Sequence, residues 1–226
     1  MNLVRLDWDS SFFGYEVAFC TGFTDSAQDL ATLNNSPFSL IYVGLIQTLT
    51  PAPANFYLAD EKIVLEREIG SDQIFETDAA IQMVEQNTIQ LNHLALQSGV
   101  YSRFKIDPNF KNNEFEKLYT IWIENALHQE NHKRVLAFVE EDKITGFVSI
   151  SEKLGVLNIG LIAVDEHARG KGIGNKLINW VCKYAQDNKF KKVSVVTQAA
   201  NLEAMNFYHK NFFTVVSRTF MYHVWK

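Results

Sequence analysis

Two cysteines and four prolines are all that 226 residues contain, and no apolar run approaches the ~20 residues a membrane-spanning helix requires. Cys20 and Cys182 lie far apart and in no C-x-x-C pair, so neither a disulfide framework nor a thiolate metal site organises the chain. Two buried free thiols are the simpler reading. Positive charge is also scarce: 26 acidic against 21 basic side chains leave a formal charge of -5. Phosphate backbones are held by clustered Lys and Arg, so a general nucleic-acid surface is not expected. The opening residues, Met1 to Asp9, carry charges where a secretory leader needs an apolar stretch, and the expectation is a cytoplasmic protein that does not enter a membrane.

What is present reads as an α/β chain in two units. Residues 1–70 form a small N-terminal unit. It has an opening strand carrying Phe12, Phe13, Tyr15, Val17 and Phe19, a helix near 26–35, and strands at 39–45 and 63–69. A boundary is expected near Gly70, with residues 71–226 as the second unit. There the apolar spacing of Ile81, Val84, Leu91, Leu94 and Ala95 predicts one long helix or two short ones over 78–97, ended by Gly99. A helix over 113–129 follows a connector, Tyr101 to Pro108, that looks too polar and interrupted for core. Three antiparallel strands (135–140, 144–152, 156–164) make a meander. A helix over 172–188, a strand over 192–197, a helix over 202–210 and a last strand or hairpin complete the chain.

The turn Arg169-Gly170-Lys171-Gly172-Ile173-Gly174 opens the helix at 172. Unpaired N–H groups and the helix dipole favour an anion there by about 0.3–1 kcal/mol, and glycines remove side chains that would keep a phosphate away. Arg169 and Lys171 add charge at the rim. A P-loop needs G-x-x-x-x-G-K-[ST], which is absent, and the dinucleotide fingerprint fails because Asn175 or Leu177 stands where its third glycine belongs. A plain strand-to-helix crossover remains open on spacing alone. His128 and His132 stand four residues apart without the Glu of H-E-x-x-H, and no metal is expected.

The run Ile159 to Gly174 resembles the acetyl-CoA motif [QR]-x-x-G-x-[GA] of the GCN5-related N-acetyltransferase superfamily, with Arg169, Gly172 and Gly174 in register. The order of elements from about 73 to 226 is similar to that fold. The resemblance implies a mixed, mostly antiparallel central sheet flanked by helices, with a bulged fourth strand that splays from the fifth. It further implies that Leu161, Ile162, Ala163 and Val164 hold the pantetheine arm by their backbones. Residues 169–174 would hold the pyrophosphate of acetyl-CoA or another short-chain acyl-CoA. A narrower likeness, carried by Leu6 to Gly14, Ser102-Arg103-Phe104 with Asp107, and Trp122 to Ala126, is to the enzymes that acetylate dTDP-fucosamine and related dTDP-amino-deoxysugars. It implies an N-acyltransferase acting on a nucleotide-linked amino sugar for a bacterial surface polysaccharide such as lipopolysaccharide O-antigen, and a homodimer.

Acyl transfer to an amine needs a neutral amine, stabilisation of the oxyanion and a proton for the departing thiolate. Asn201 is an N-cap type, and Tyr208, seven residues on, shares its helix face. Both are expected to face the coenzyme. Tyr208 holds the position where the superfamily often has its general acid; packing beside Phe207 is the alternative. No base is identifiable. Arg103 is the candidate for the acceptor's pyrophosphate, and Phe12, Phe13 and Trp122 for its base or deoxysugar, with core packing the competing account of each aromatic. Another small amine, a protein N-terminus, or a non-catalytic acyl-CoA sensor are the rival readings.

Overall fold

The computed structural model describes residues 1–128 and 133–226. Its described residues form one ten-stranded mixed sheet, β1 (Asn2–Arg5), β2 (Val17–Thr21), β3 (Leu40–Leu45), β4 (Phe56–Glu68), β5 (Ile81–Val84), β6 (Arg134–Glu140), β7 (Lys143–Lys153), β8 (Val156–Val164), β9 (Lys192–Gln198) and β10 (Thr214–Trp225). The order across the sheet is β1-β2-β3-β10-β4-β9-β8-β7-β6-β5; only the β2–β3 and β8–β9 pairs are parallel. The break near Gly70 therefore does not divide the sheet. β4, from before it, lies between β9 and β10, from after it, because Ile63 and Leu65 complete the same core as Val193 and Val195.

Helices cover both faces. α6 (Ile173–Asp187) buries Ile173, Leu177, Ile178, Val181, Cys182 and Ala185 against one face, each large apolar side chain contributing about 1.5–3 kcal/mol. α3 (Ile89–Ser98) and α5 (Glu114–Leu127) cover the other face of β6–β8, where Val135 and Phe147 point. α1 (Asp7–Phe13) and the short α4 (Arg103–Ile106) join α5 over β3 and β10, and α2 (Ala27–Asn35) packs behind them on Ile41 and Val43.

Three expectations are corrected. Phe12 and Phe13 end a helix rather than lying in a strand: Asp7 and Asp9 occupy its first turn and Gly14, at φ 75°, closes it in the left-handed region. Ile81 and Val84 belong to the edge strand β5, since their three-residue spacing fits a short strand paired to β6 as well as a helix; the helix begins only at Ile89, capped by the Thr88 hydroxyl, which accepts from Leu91 N–H. The connector at 101–108 is partly core: Ser102, Phe104 and Asp107 are buried, while Tyr101, Lys105, Ile106 and Pro108 stay exposed. Asp107 is 1% exposed, its carboxylate held by His223 Nδ1 (2.5 Å), Trp225 Nε1 (2.9 Å) and the Asn109 backbone N–H (3.0 Å), so its polarity is satisfied inside. The expected end of α5 at Gln129, and His132, lie outside the described residues.

Candidate active site

The site begins where β8 and β9 part. They pair only from Leu157–Ile159 to Val193–Val195. At that point β8 carries a bulge: Val148 and Ile150 of β7 face Ile162 and Ile159, so Gly160 and Leu161 together oppose Ser149 alone. Ser149 Oγ accepts from the displaced Leu161 N–H at 2.8 Å. A Cβ on Gly160 would come within 2.9 Å of that oxygen and push the hydroxyl off the Leu161 N–H. Bulge and splay open a cleft of about 880 Å³ that runs along Leu161, Ile162, Ala163 and Val164 to the start of α6, with α7 (Leu202–Lys210) as its far wall.

The exposed glycine turn forms one end of this cleft. Gly170 and Gly172 both adopt φ 79°, and a Cβ on either would meet nothing within 4 Å, so their backbones face open space. No side chain caps α6. Gly174 has a different reason to be glycine: a Cβ there would stand 2.9 Å from Phe207 Cε2, so it lets α7 pack against α6. Arg169 borders the cleft, its Nε donating to Val164 O (3.3 Å). Lys171 turns instead to Glu140 (3.4 Å), and its ammonium stands outside the cleft wall. The cradle, with its open glycines and uncapped helix start, fits a diphosphate, and the strand gap fits an extended pantetheine arm.

Asn201 and Tyr208 both border the cleft from α7. The Asn201 Oδ1 is occupied as N-cap, accepting from Ala204 N–H at 3.1 Å. Tyr208 is 3% exposed, its ring edge-on to Phe213 at 5.5 Å and beside Phe207 at 5.3 Å. Burial pushes its phenol well above the usual tyrosine range, so it stays protonated. Core packing and the cleft are thus both properties of this side chain.

A second cavity of about 840 Å³ lies on the α1, α4 and α5 side of the sheet, and Tyr119, Gly160, Leu161, Val196 and Gln198 border both spaces. Its floor is one sheet face, Asp60 and Lys62 of β4 beside Val196 and Gln198 of β9 and Thr219 and Met221 of β10; Trp8, Asp9, Arg103 and Trp122 stand over it. The Arg103 guanidinium lies 4.1 Å over the Tyr42 ring and 4.7 Å from that of Phe104, and its buried Nη1 has no hydrogen-bond partner among the described residues. Phe12 and Phe13 do not reach the cavity wall. Phe13 stacks among Tyr15, Phe104 and Phe110, while Phe12 backs Trp8, whose ring is parallel to it at 5.2 Å and half-exposed at the cavity. Trp8, Asp9 and Asp60 were not foreseen; only strand register and the packing of α1 bring them here. Among the described residues no group of His, Cys, Asp and Glu side chains has metal-binding geometry, and no helix is long and apolar enough to cross a membrane.

The acetyltransferase (GNAT) family model matches residues 100–212. The chain is 23% identical over 187 residues to the spore coat polysaccharide biosynthesis protein SpsD of Bacillus subtilis (strain 168), covering 83% of this chain and 59% of that protein. It therefore spans about three fifths of that relative's length. It is 29% identical over 126 residues to streptothricin acetyltransferase A of the same organism, covering 54% of this chain and 69% of that one. Among solved structures, a GCN5-related N-acetyltransferase from Sphaerobacter thermophilus superposes with a TM-score of 0.54 at 16% identity, over 86% of this chain and 63% of that one.

Proposed function

The chain belongs to the acetyltransferase (GNAT) family, and on that premise we propose that it transfers an acetyl or short-chain acyl group from acyl-CoA to the amino group of a nucleotide-linked amino-deoxysugar. The reaction serves a bacterial surface polysaccharide and takes place in the cytoplasm. The observation that carries this reading is the shared wall: a cleft shaped for acyl-CoA and a second cavity meet at Gly160, Leu161, Val196 and Gln198, where β8 and β9 separate. The thioester supplies the acyl group at that junction. Residues 170–174 hold the diphosphate, the edge of β8 holds the pantetheine arm, and Tyr208 gives a proton to the departing sulfur.

Three features support the acceptor class. Arg103 offers an unpartnered buried donor to a diphosphate. The half-exposed Trp8, steadied by Phe12, offers a flat face to a nucleobase, and Trp122 an apolar wall to a deoxysugar. The similarity to a protein named for spore coat polysaccharide biosynthesis points the same way. A second reading, a small cationic amine, is favoured by the carboxylates Asp9 and Asp60 in the cavity and by the similarity to a streptothricin acetyltransferase.

Coenzyme thiol release, measured with a panel of dTDP-amino-sugars, the free amino sugars and cationic antibiotics, tests the proposal. A kcat/KM at least ~10²-fold higher for one dTDP-amino-sugar than for its free sugar is expected. Equal values would reject the nucleotide and leave the small-amine reading.

A further inference from the structure

We infer that Asp60 is the base of this reaction, taking the proton from the acceptor's ammonium while Tyr208 serves the coenzyme side. The inference rests on the acyl-transfer reading and adds the group that the sequence did not reveal.

Strand geometry places the carboxylate. Ile63 and Leu65 point into the α6 core, so Asp60 and Lys62, on the opposite parity, project from the other face into the acceptor cavity. Asp60 adjoins the side chain of Gln198, one of the residues common to both spaces, and so stands at the junction where an amine must meet the thioester. Neither carboxylate of the cavity lines the coenzyme cleft itself; Asp60 adjoins Gln198, which does, whereas Asp9, from α1, adjoins Tyr42 and Arg103.

The charged surroundings suit a base. Burial raises the Asp60 carboxyl to about 6; Arg103 of α4, the Gln198 amide and Lys62 pull it down, and Glu61 on its own strand pushes it up. Tyr119 of α5, Asp9 of α1 and Lys133 also border the cavity. A carboxylate in that range is mostly ionised at pH 7, yet holds a proton about a hundredfold more firmly than an ordinary aspartate.

The protons balance. Asp60 carboxylate removes one from R–NH₃⁺, and the neutral nitrogen forms a bond to the thioester carbon. The C–S bond then breaks, with the sulfur taking the Tyr208 phenolic proton. The new amide nitrogen returns its surplus proton to the Tyr208 phenolate, and Asp60 releases the first proton to solvent. The sum is amide, free thiol and one proton.

The test is Asp60→Asn, which keeps the shape and removes the charge. For wild type, kcat/KM for the acceptor is expected to fall on the acid side with an apparent pKa near 6. The variant should lose ~10²-fold at pH 7 and show a rate that climbs with pH toward the amine's own pKa, with coenzyme affinity unchanged and a thermal midpoint that is not lowered, since the buried charge is gone. An aminooxy analogue of the acceptor, neutral at pH 7, should be acylated by both proteins within a few-fold. Carboxylate carbon NMR of the apo protein, assigned by the resonance the variant lacks, should show a group titrating near 6. A variant within twofold of wild type, one that loses coenzyme binding or folding, an undiminished deficit with the aminooxy analogue, or a carboxyl titrating near 4 would each overturn the inference. Wild type that acylates no amine at all refutes the functional reading instead, and the titration still decides whether Asp60 has the stated proton affinity.

Discussion

Replacing Tyr208 by Phe removes one oxygen from the wall of the coenzyme cleft and nothing else. The ring contacts with Phe207 and Phe213, at 5.3 and 5.5 Å, survive, and the hydroxyl makes no hydrogen bond to any described residue. The cost to folding is therefore less than about 1 kcal/mol, no more than ~4 °C in a domain of this size. On the proposed role, catalysis loses its proton donor to sulfur, an effect of ~10²-fold or about 2.7 kcal/mol of activation energy. The burial that lifts the phenol's pKa lifts that of a thiolate formed beside it, so donor and acceptor stay matched. The assay is thiol release at saturating acyl-CoA, with coenzyme affinity from calorimetry and the thermal midpoint from scanning. kcat is expected to drop ~10²-fold at constant coenzyme Kd, and wild type should show no alkaline limb from this residue below pH 10. A kcat within threefold of wild type, or a parallel loss of coenzyme binding, refutes the role and leaves Tyr208 as packing.

The remaining predictions concern the frame of the site. Ser149→Ala strands the Leu161 N–H at the bulge; stability should fall by about 1–2 kcal/mol in urea unfolding and the KM for acyl-CoA should rise, whereas an unchanged KM would show that the bulge does not shape the cleft. Gly174→Ala drives a methyl toward Phe207 and should cost about 1–3 kcal/mol, detectable as a lowered thermal midpoint, while Phe207→Leu in the same chain should recover part of it. Burial lowers the His223 pKa to about 4 despite Asp107, below the 6.5 of an unfolded histidine. The unfolded chain therefore binds a proton in that window that the folded chain refuses, and stability should fall as pH drops from 6.5 to 4, by at most about 1.4 kcal/mol per unit from this group. His223→Gln should flatten that part of the profile, and a slope equal to wild type would contradict it.

Much of the second half was readable because its signals are local. The α6 stripe of Ile173, Leu177 and Val181 repeats at the helical period, and the meander strands are separated by the two-residue turns Glu141-Asp142 and Leu154-Gly155. The glycine turn before α6 was legible through backbone conformation, a left-handed φ that Gly170 and Gly172 adopt and Gly174 does not. Where local signals were ambiguous the reading went astray. Ile81 and Val84 satisfy two periodicities, and the free edge of β6 decided between them. Asp107 looked like surface until a histidine and a tryptophan more than a hundred residues away enclosed it.

The sequence by itself determined the glycine turn and the helix that follows it, because helix dipole, glycine backbone and strand-to-helix order arise within about twenty consecutive residues. Only the tertiary structure decided the second cavity. Trp8, Asp60, Arg103, Gln198 and Met221 share no local pattern, and they meet because β4 inserts between β9 and β10 while α1, α4 and α5 settle over the same sheet face. That meeting depends on burying apolar surface between distant segments, and residue spacing along the chain carries no record of it.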